Sequence, residues 1–242
     1  MRIVIPRESV AGEHRTSATP ETVKKMIRLG AEVAIESGAG AAVGFTDNIY
    51  TELGAEIVTD RAALLGSADM VLRLRKPESD DIDMMKSGCI HVSYLDPFNE
   101  RDLIKTLAAK GITAISMEMI PRSTRSQKMD ALSSQANLAG YVAVMLAAAK
   151  LPSIFPMLMT PAGTLKPAKV FIIGAGVAGL QAIATAKRLG ARVTACDTRP
   201  VVAEQVQSLG GKFLEIDLGD TGQTADGYAK ELTPEQVDIQ RQ

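Results

Sequence analysis

The chain has 242 residues, 46% of them hydrophobic, and a formal net charge of −1. This is enough for one to two domains with a sizeable core, and the near-neutral balance supplies no field that favours nucleic acid or an anionic bilayer. Neither end carries a basic segment followed by an apolar one, and the most apolar window, 138–159, is broken by Lys150, Pro152, Ser153 and Pro156, so no membrane span is expected.

Taken in chain order, short β-branched runs alternate with helical patterns. Residues 2–5 (RIVI) predict a strand, and 21–29 a helix opened by Thr19-Pro20. A strand at 32–36 and a short helix at 47–53 follow. Further strands are expected at 56–58, 70–73, 89–94 and 113–117, with helices at 61–65, 81–85 and 101–109 between them. Strands spaced by helices in this way build βαβ units, and so a parallel sheet covered on both faces. A long helix is expected at 131–149. Pro152, Pro156, Pro161 and Pro167 then punctuate a linker-like segment, and a second α/β pattern begins at Lys169. The expected organisation is two Rossmann-like parallel-sheet domains. Residues 1–143 form a flavodoxin-like or Rossmann-like unit, and 144–242 the first half of a dinucleotide-binding fold.

Cys89 and Cys196 lie in strand-like runs far apart and read as buried thiols of a reduced compartment. His14 and His91 have no Cys, His or Asp at ligand spacing, so no metal site is expected.

The apolar run KVFII (169–173) ends at GAGVAG, Gly174-Ala175-Gly176-Val177-Ala178-Gly179, and a helical run follows. A lone G-x-G-x-x-G is a weak signal. This one follows a strand, opens a helix, and precedes a second strand, 192–196, that ends in Asp197, 23 residues beyond the first glycine. Such a position suits a carboxylate that reads a ribose. Gly174 permits the tight turn, Gly176 lets backbone approach a pyrophosphate, and Gly179 lets helix and strand pack closely. The helix start, with Val177 and Ala178, supplies amide donors and positive potential for phosphates. Asp197 favours the two ribose hydroxyls of NAD(H) and repels a 2′-phosphate. Arg199, just after Thr198, is placed to accept such a phosphate, so the preference is mixed, with NAD(H) leading.

A second motif is the stretch PRSTRSQKMDALSSQANLAGY, 121–141. A connection between elements needs two to six residues and one or two turn formers, whereas this one carries two arginines, a lysine, an aspartate and a run of hydroxyls and amides. It follows the expected strand at 113–117, and α/β ligand sites lie outside the carboxyl ends of strands, in two-domain proteins at the cleft between units. Arg122, Gln127, Asp130 and Ser133 are candidate ligand contacts. The plainer reading is a solvated loop in which Asp130 caps the following helix.

These strings, together with RIVIPRE, HRTSATPETV, ESGAG, CDTRPVVAEQVQSLGGKF and DGYAKE, resemble the NAD(H)-binding subunits of proton-translocating NAD(P) transhydrogenases along essentially the whole chain. The resemblance implies that Arg122, Gln127, Asp130 and Ser133 hold the nicotinamide end of NAD(H). It also implies that Asp197 serves the adenosine ribose and Gly227 the adenine end. A second component would hold NADP(H), and a membrane component would pass protons. The chain would work as a homodimer, peripheral to the cytoplasmic side of the inner membrane, and would be inactive without the rest of the complex.

Alanine dehydrogenases share both domains with this family. Oxidising an amino acid requires a general acid/base and a cation for the substrate carboxylate, which those enzymes supply from K-x-K-E-P and Y-L-H strings. The matching strings here are RLRKP and SYLDP, which set Arg75 and Asp96 at those positions, while Arg15 is common to both families. Arginine is no base at neutral pH. Direct hydride transfer between two nicotinamides needs only closeness and alignment, so a transhydrogenase component is the leading expectation and an amino-acid dehydrogenase the alternative. A third expectation follows from what lies after Asp197: one helix (201–209), one strand-like run (212–216) and a helix start at Thr233. That is half of a dinucleotide fold, so a truncated, non-catalytic NAD-binding module with an exposed apolar edge is also expected.

Overall fold

Val4 and Ile5 are adjacent, yet they belong to different cores. Val4 packs with Leu64, Leu65, Val71, Ile82 and Leu107, while Ile5 packs with Val23, Val33, Ile35 and Tyr50. Successive side chains of a strand point to opposite faces, so a strand apolar at both positions belongs in a sheet covered on both sides. The computed structural model describes residues 1–219, 221 and 229–241. They divide into two compact units, Met1–Met129 and Asp130–Gln242.

In the first unit, β1 (Arg2–Ile5), β2 (Glu32–Glu36), β3 (Glu56–Val58), β4 (Met70–Leu72), β5 (Ile90–Ser93) and β6 (Thr113–Ser116) form one parallel sheet in the order β3-β2-β1-β4-β5-β6. The connecting helices are α1 (Pro20–Arg28), α2 (Asp47–Glu52), α3 (Arg61–Ser67), α4 (Ser79–Met84) and α5 (Arg101–Ala109). Local chemistry sets where they begin. Thr19 caps α1 by accepting from the Thr22 amide, Pro20 takes the first turn where no amide donor is missed, and Asp60 caps α3 through the Ala63 amide at 3.1 Å. The chain builds outward from β1 to β3 and then returns to place β4 on the other side of β1. That reversal opens a crevice beyond the carboxyl ends of β1 and β4.

The second unit contains α6 (Ala131–Lys150), β7 (Leu158–Thr160), β8 (Gly163–Leu165), β9 (Lys169–Ile173), α7 (Val177–Arg188), β10 (Arg192–Cys196), α8 (Ala203–Ser208), β11 (Lys212–Phe213) and α9 (Pro234–Arg241). Its parallel sheet runs β11-β10-β9, so the glycine motif leaves an edge strand. The core gathers Val144, Ala182, Ile183, Ala186, Val193, Ala195 and Val206. On β9, Val170 and Ile172 pack against that core, whereas Phe171 and Ile173 are exposed.

The expected domain boundary at 143/144 lies inside α6, whereas the division of the structure falls before that helix, because α6 packs along α7. Gly140 makes the close approach possible: a Cβ there would stand 2.1 Å from the Ala178 carbonyl oxygen. By length and composition α6 is also apolar enough to cross a membrane, the only such helix among the described residues. The segment read as a linker holds a hairpin instead. β7 and β8 pair antiparallel around Pro161-Ala162, and Pro161, which cannot donate to a ladder, sits in the turn. The helix expected at 201–209 begins as a 3-10 turn, Pro200–Val202, before α8.

Candidate functional site

The glycine motif forms the turn between β9 and α7. Gly174 has φ +92°, a left-handed conformation that glycine adopts without strain. A Cβ at Gly179 would meet the Gly174 carbonyl oxygen at 1.8 Å, so the first turn of α7 lies against the end of β9 only because no side chain intervenes. At Gly176 a Cβ would meet nothing within 4 Å, and this residue caps α7 with no side-chain hydrogen bond. The first amides of a helix, those of Val177 and Ala178, have no partner within the helix. A twelve-residue helix therefore presents donors and the positive end of its dipole to an open surface. A phosphate-bearing ligand fits this arrangement.

Asp197 follows β10 and turns back to the motif. Its Oδ2 accepts from the Ala175 amide at 2.7 Å. Its Oδ1 accepts from the Arg199 amide at 2.8 Å and from Arg199 Nε at 2.9 Å, and Arg199 Nη2 donates to Oδ2 at 2.9 Å. Burial opposes ionisation of Asp197, but the Arg199 guanidinium and the two amides outweigh it and hold the carboxyl below its ordinary range. The Thr198 carbonyl accepts from the Thr221 hydroxyl at 2.6 Å. The fold therefore brings Gly174, Gly176, Val177, Ala178, Gly179, Asp197, Thr198 and Arg199 into one neighbourhood of the second unit.

The polar segment is divided between the units. Arg122 and Gln127 belong to the first unit, Gln127 opening a short 3-10 turn, Gln127–Met129. Asp130 and Ser133 begin α6 in the second. Asp130 caps that helix: its Oδ1 accepts from the Ser133 amide at 2.9 Å and its Oδ2 from the Ser133 hydroxyl at 2.7 Å. The plainer role considered for Asp130 is thus realised, and the cap fixes Ser133 relative to the helix start. Ser133 lies seven residues, about 10 Å of helix, before the Gly140 crossing with α7. Gly227 lies outside the described residues.

Sequence reasoning did not foresee the charge cluster at the crevice of the first sheet. Glu8, after β1, accepts from the Leu74 amide at 2.6 Å and the Arg75 amide at 3.2 Å, which ties the ends of β1 and β4 together. Glu13 accepts from Arg15 Nε at 2.7 Å, Arg15 Nη2 at 2.6 Å and Arg75 Nε at 2.8 Å. The hydrogen bond from Arg15 outweighs burial and, with Arg75, holds the Glu13 carboxyl at about 2. Asp96 has φ +50°, and the Glu118 carboxylate accepts the amides of Leu95 and Asp96. Below these, the buried Arg73 pairs with Asp81, which also takes a two-pronged bond from Arg61 at 2.7 and 2.9 Å. Arg75 and Arg15 are both turned onto Glu13, so the two cations at this crevice are already engaged by a carboxylate. Arg15, Arg75 and Asp96 were singled out in the sequence, but their setting was not, because Glu8 and Glu13 meet residues 73–75 only once the chain returns to place β4 beside β1.

A family model described as "Alanine dehydrogenase/PNT, N-terminal domain" matches residues 4–139, and one described as "Alanine dehydrogenase/PNT, C-terminal domain" matches residues 143–240. The chain is 47% identical over 242 residues to an NAD(P) transhydrogenase alpha-subunit polypeptide of Rhodospirillum rubrum, covering 97% of this chain and 63% of that protein. The solved transhydrogenase structure from Sinorhizobium meliloti superposes with a TM-score of 0.87 at 46% identity, over 90% of this chain and 62% of that one. An alanine dehydrogenase of Methanococcus maripaludis is more distant, 32% identical over 200 residues, covering 81% of this chain and 53% of that protein. The chain therefore spans less than two thirds of the length of each of these relatives.

Proposed function

Because the chain belongs to the alanine dehydrogenase/PNT family, we propose that it is the NAD(H)-binding component of a proton-translocating NAD(P) transhydrogenase. The observation that carries this reading is the β9–α7 turn, with open space above Gly176, uncapped helix amides, and Asp197 latched to it through the Ala175 amide. In the proposed reaction the nicotinamide supplies the hydride, and the chain's own residues bind and orient. The amides of Val177 and Ala178 meet the pyrophosphate, Asp197 and Thr198 the adenosine ribose, and Gly227 the adenine end. Arg122, Gln127, Asp130 and Ser133 hold the nicotinamide end.

Direct hydride transfer asks for alignment and the exclusion of water, not for a base. The dehydrogenase alternative asks for a base near a carboxylate-binding cation, and Arg75 and Arg15 are committed to Glu13. NADP(H) would be held by a partner component, and a membrane component would carry the proton path. The chain would then sit as a homodimer against the cytoplasmic face of the membrane, inactive alone.

The test is a fluorescence titration of the purified 242-residue chain with NADH and, in parallel, NADPH, followed by an assay with alanine and NAD+. Saturable binding of NADH in preference to NADPH, with no alanine-dependent reduction, is expected. Absence of NADH binding would overturn the reading, and alanine turnover would transfer it to the dehydrogenase branch.

A further inference from the structure

We infer that the first unit holds an internal water at the fork of Arg73, accepting from Nε and Nη2 of the guanidinium and donating to His91 Nδ1.

Arg73 follows β4, and its side chain has no exposed surface. Nη1 donates to Asp81. That leaves Nε and Nη2, the same side-on pair of donors with which Arg61 grips Asp81. Neither atom has a hydrogen-bond partner among the described residues, and both are buried. Native structures meet buried charged donors with protein or with water, because an unmet one keeps its full desolvation cost. Glu8 does not meet them. Its Oε2 stands 3.8 Å from Nη2, beyond hydrogen-bond length, and the Leu74 and Arg75 amides hold the carboxylate where it is. A polar gap of this length between fixed groups suits a bridging water.

Sheet pairing brings an acceptor to the same place. Val71 lies beside His91, and the Arg73 amide continues the ladder by donating to the Val92 carbonyl at 3.1 Å. Residues two apart share a face of a strand, so Arg73, His91 and Ser93 project from neighbouring strands on one face. His91 is fully buried. Its Nε2 lies 3.0 Å from the Ser93 hydroxyl, and its Nδ1 has no partner among the described residues. The Arg73 charge acts on this ring and, with burial, keeps it neutral.

The partners decide the occupant. Arginine only donates, so a cation has nothing to bind at the fork. A simple anion could accept from the fork but could not donate to Nδ1. It would also add charge to a cluster in which Arg61 and Arg73 already face Glu8, Glu36 and Asp81. Water accepts twice and donates twice, as buried waters commonly do. With both lone pairs turned to Arg73, it meets His91 and Glu8 Oε2 with its protons. Nδ1 must then be bare, so the ring carries its hydrogen on Nε2 and donates to Ser93. A histidine held by packing alone has no need of that tautomer.

The test uses the full 242-residue chain labelled with 15N-histidine, near neutral pH. The sequence has two histidines, and the exposed His14 is removed from the spectrum by His14→Gln. Long-range 1H–15N correlation is expected to show His91 as the Nε2–H tautomer. Cross-relaxation from its ring protons to water should have the sign of a molecule that stays longer than the protein tumbles. His91→Phe keeps an aromatic ring but removes the acceptor, and oxygen-17 relaxation dispersion should register the loss of one long-lived water. An Nδ1–H tautomer, a ring with no long-lived water beside it, or equal dispersion in parent and folded variant would overturn the inference. If His91→Phe does not fold, the spectra of the parent decide alone. The groups involved all lie in the first unit, so the result is independent of nucleotide binding in the second.

Discussion

The backbone of Gly140 in α6 faces the carbonyl of Ala178 in α7 so closely that a single added methyl would stand 2.1 Å from the oxygen. Alanine favours a helix over glycine by up to about 1 kcal/mol. The clash is with backbone, which cannot rotate away, and overpacking of a fixed contact costs ~1–3 kcal/mol or more. The clash should win. Gly140→Ala is expected to lower stability by roughly 2 kcal/mol, read as a lower urea midpoint. A midpoint unchanged or raised would show that the helices slide apart at little cost.

Gly176 and Gly179 are three residues apart but should fail differently. Gly176 is extended (φ −75°, ψ −168°) with open space where a Cβ would go, so Gly176→Ala should change stability by less than about 0.5 kcal/mol. It should nevertheless weaken NADH by roughly tenfold, because the methyl stands where backbone would approach a phosphate. Gly179→Ala collides with the Gly174 carbonyl and should damage the fold itself. Paired melts and NADH titrations separate the two. Equal melting losses in both variants would contradict the assignment.

His91 is fully buried on β5, with Nε2 3.0 Å from the Ser93 hydroxyl, and burial, aided by the Arg73 charge, lowers its pKa to about 4. The neutral ring is the form the fold holds. The unfolded chain takes up a proton near pH 6.5, the folded chain only near 4, so the unfolded state binds more protons between those values. Stability contributed by neutral His91 is fully present above pH 6.5 and is lost as pH falls toward 4. The loss amounts to about 3 kcal/mol. His91→Gln should flatten the stability profile across this window relative to the parent, with both measured by denaturant titration. Parallel profiles would mean that other groups govern it.

Removing Asp81 takes from the buried Arg73 its nearest carboxylate, with Glu8 left at 3.8 Å, and leaves Arg61 with Glu36. Arg73 has no exposed side-chain surface, and Asp81 is held below its ordinary carboxyl range because Arg61 and Arg73 outweigh its burial. Breaking one partner of a buried ion network costs about 3–5 kcal/mol. Asp81→Ala is expected to fall in that range by equilibrium unfolding. A loss below about 1 kcal/mol would be that of a surface pair.

Gln127→Ala tests the proposed clamp. In a complex reconstituted with the NADP(H)-holding partner, hydride transfer should slow more than NADH binding weakens, since the variant misaligns a ring rather than removing a phosphate site. Parent-like transfer rates would remove Gln127 from that role.

Much of the fold was legible because its strands are short, apolar and punctuated. RIVI and KVFII occupy the strands their composition predicts, and Thr19-Pro20 marks the start of α1. The hairpin at 158–165 was hidden because four prolines in sixteen residues read as a linker, although one of them forms the turn. At the site, the glycine spacing and Asp197 were legible because they are local. The saturation of Asp197 was not: it depends on where the Ala175 amide and the Arg199 side chain point once β9 and β10 pair. The bonds from Glu8 to the residues after β4 were equally hidden, since they follow from the return of the chain to β1.

The pairing of α6 with α7 also has a timetable. During synthesis Arg188 leaves the ribosome 38 residues after Lys150, which at ~5–20 residues per second leaves roughly 2–8 s with α6 made and its partner incomplete. In that interval the nascent chain displays twenty residues with the length and hydropathy of a membrane span. Chaperones and targeting factors that sample emerging apolar helices meet this one before α7 packs along it, and even then only Gly140 and Val144 of the helix are buried. The rate of translation across residues 150–188 therefore bears on whether the helix is delivered to α7 or diverted.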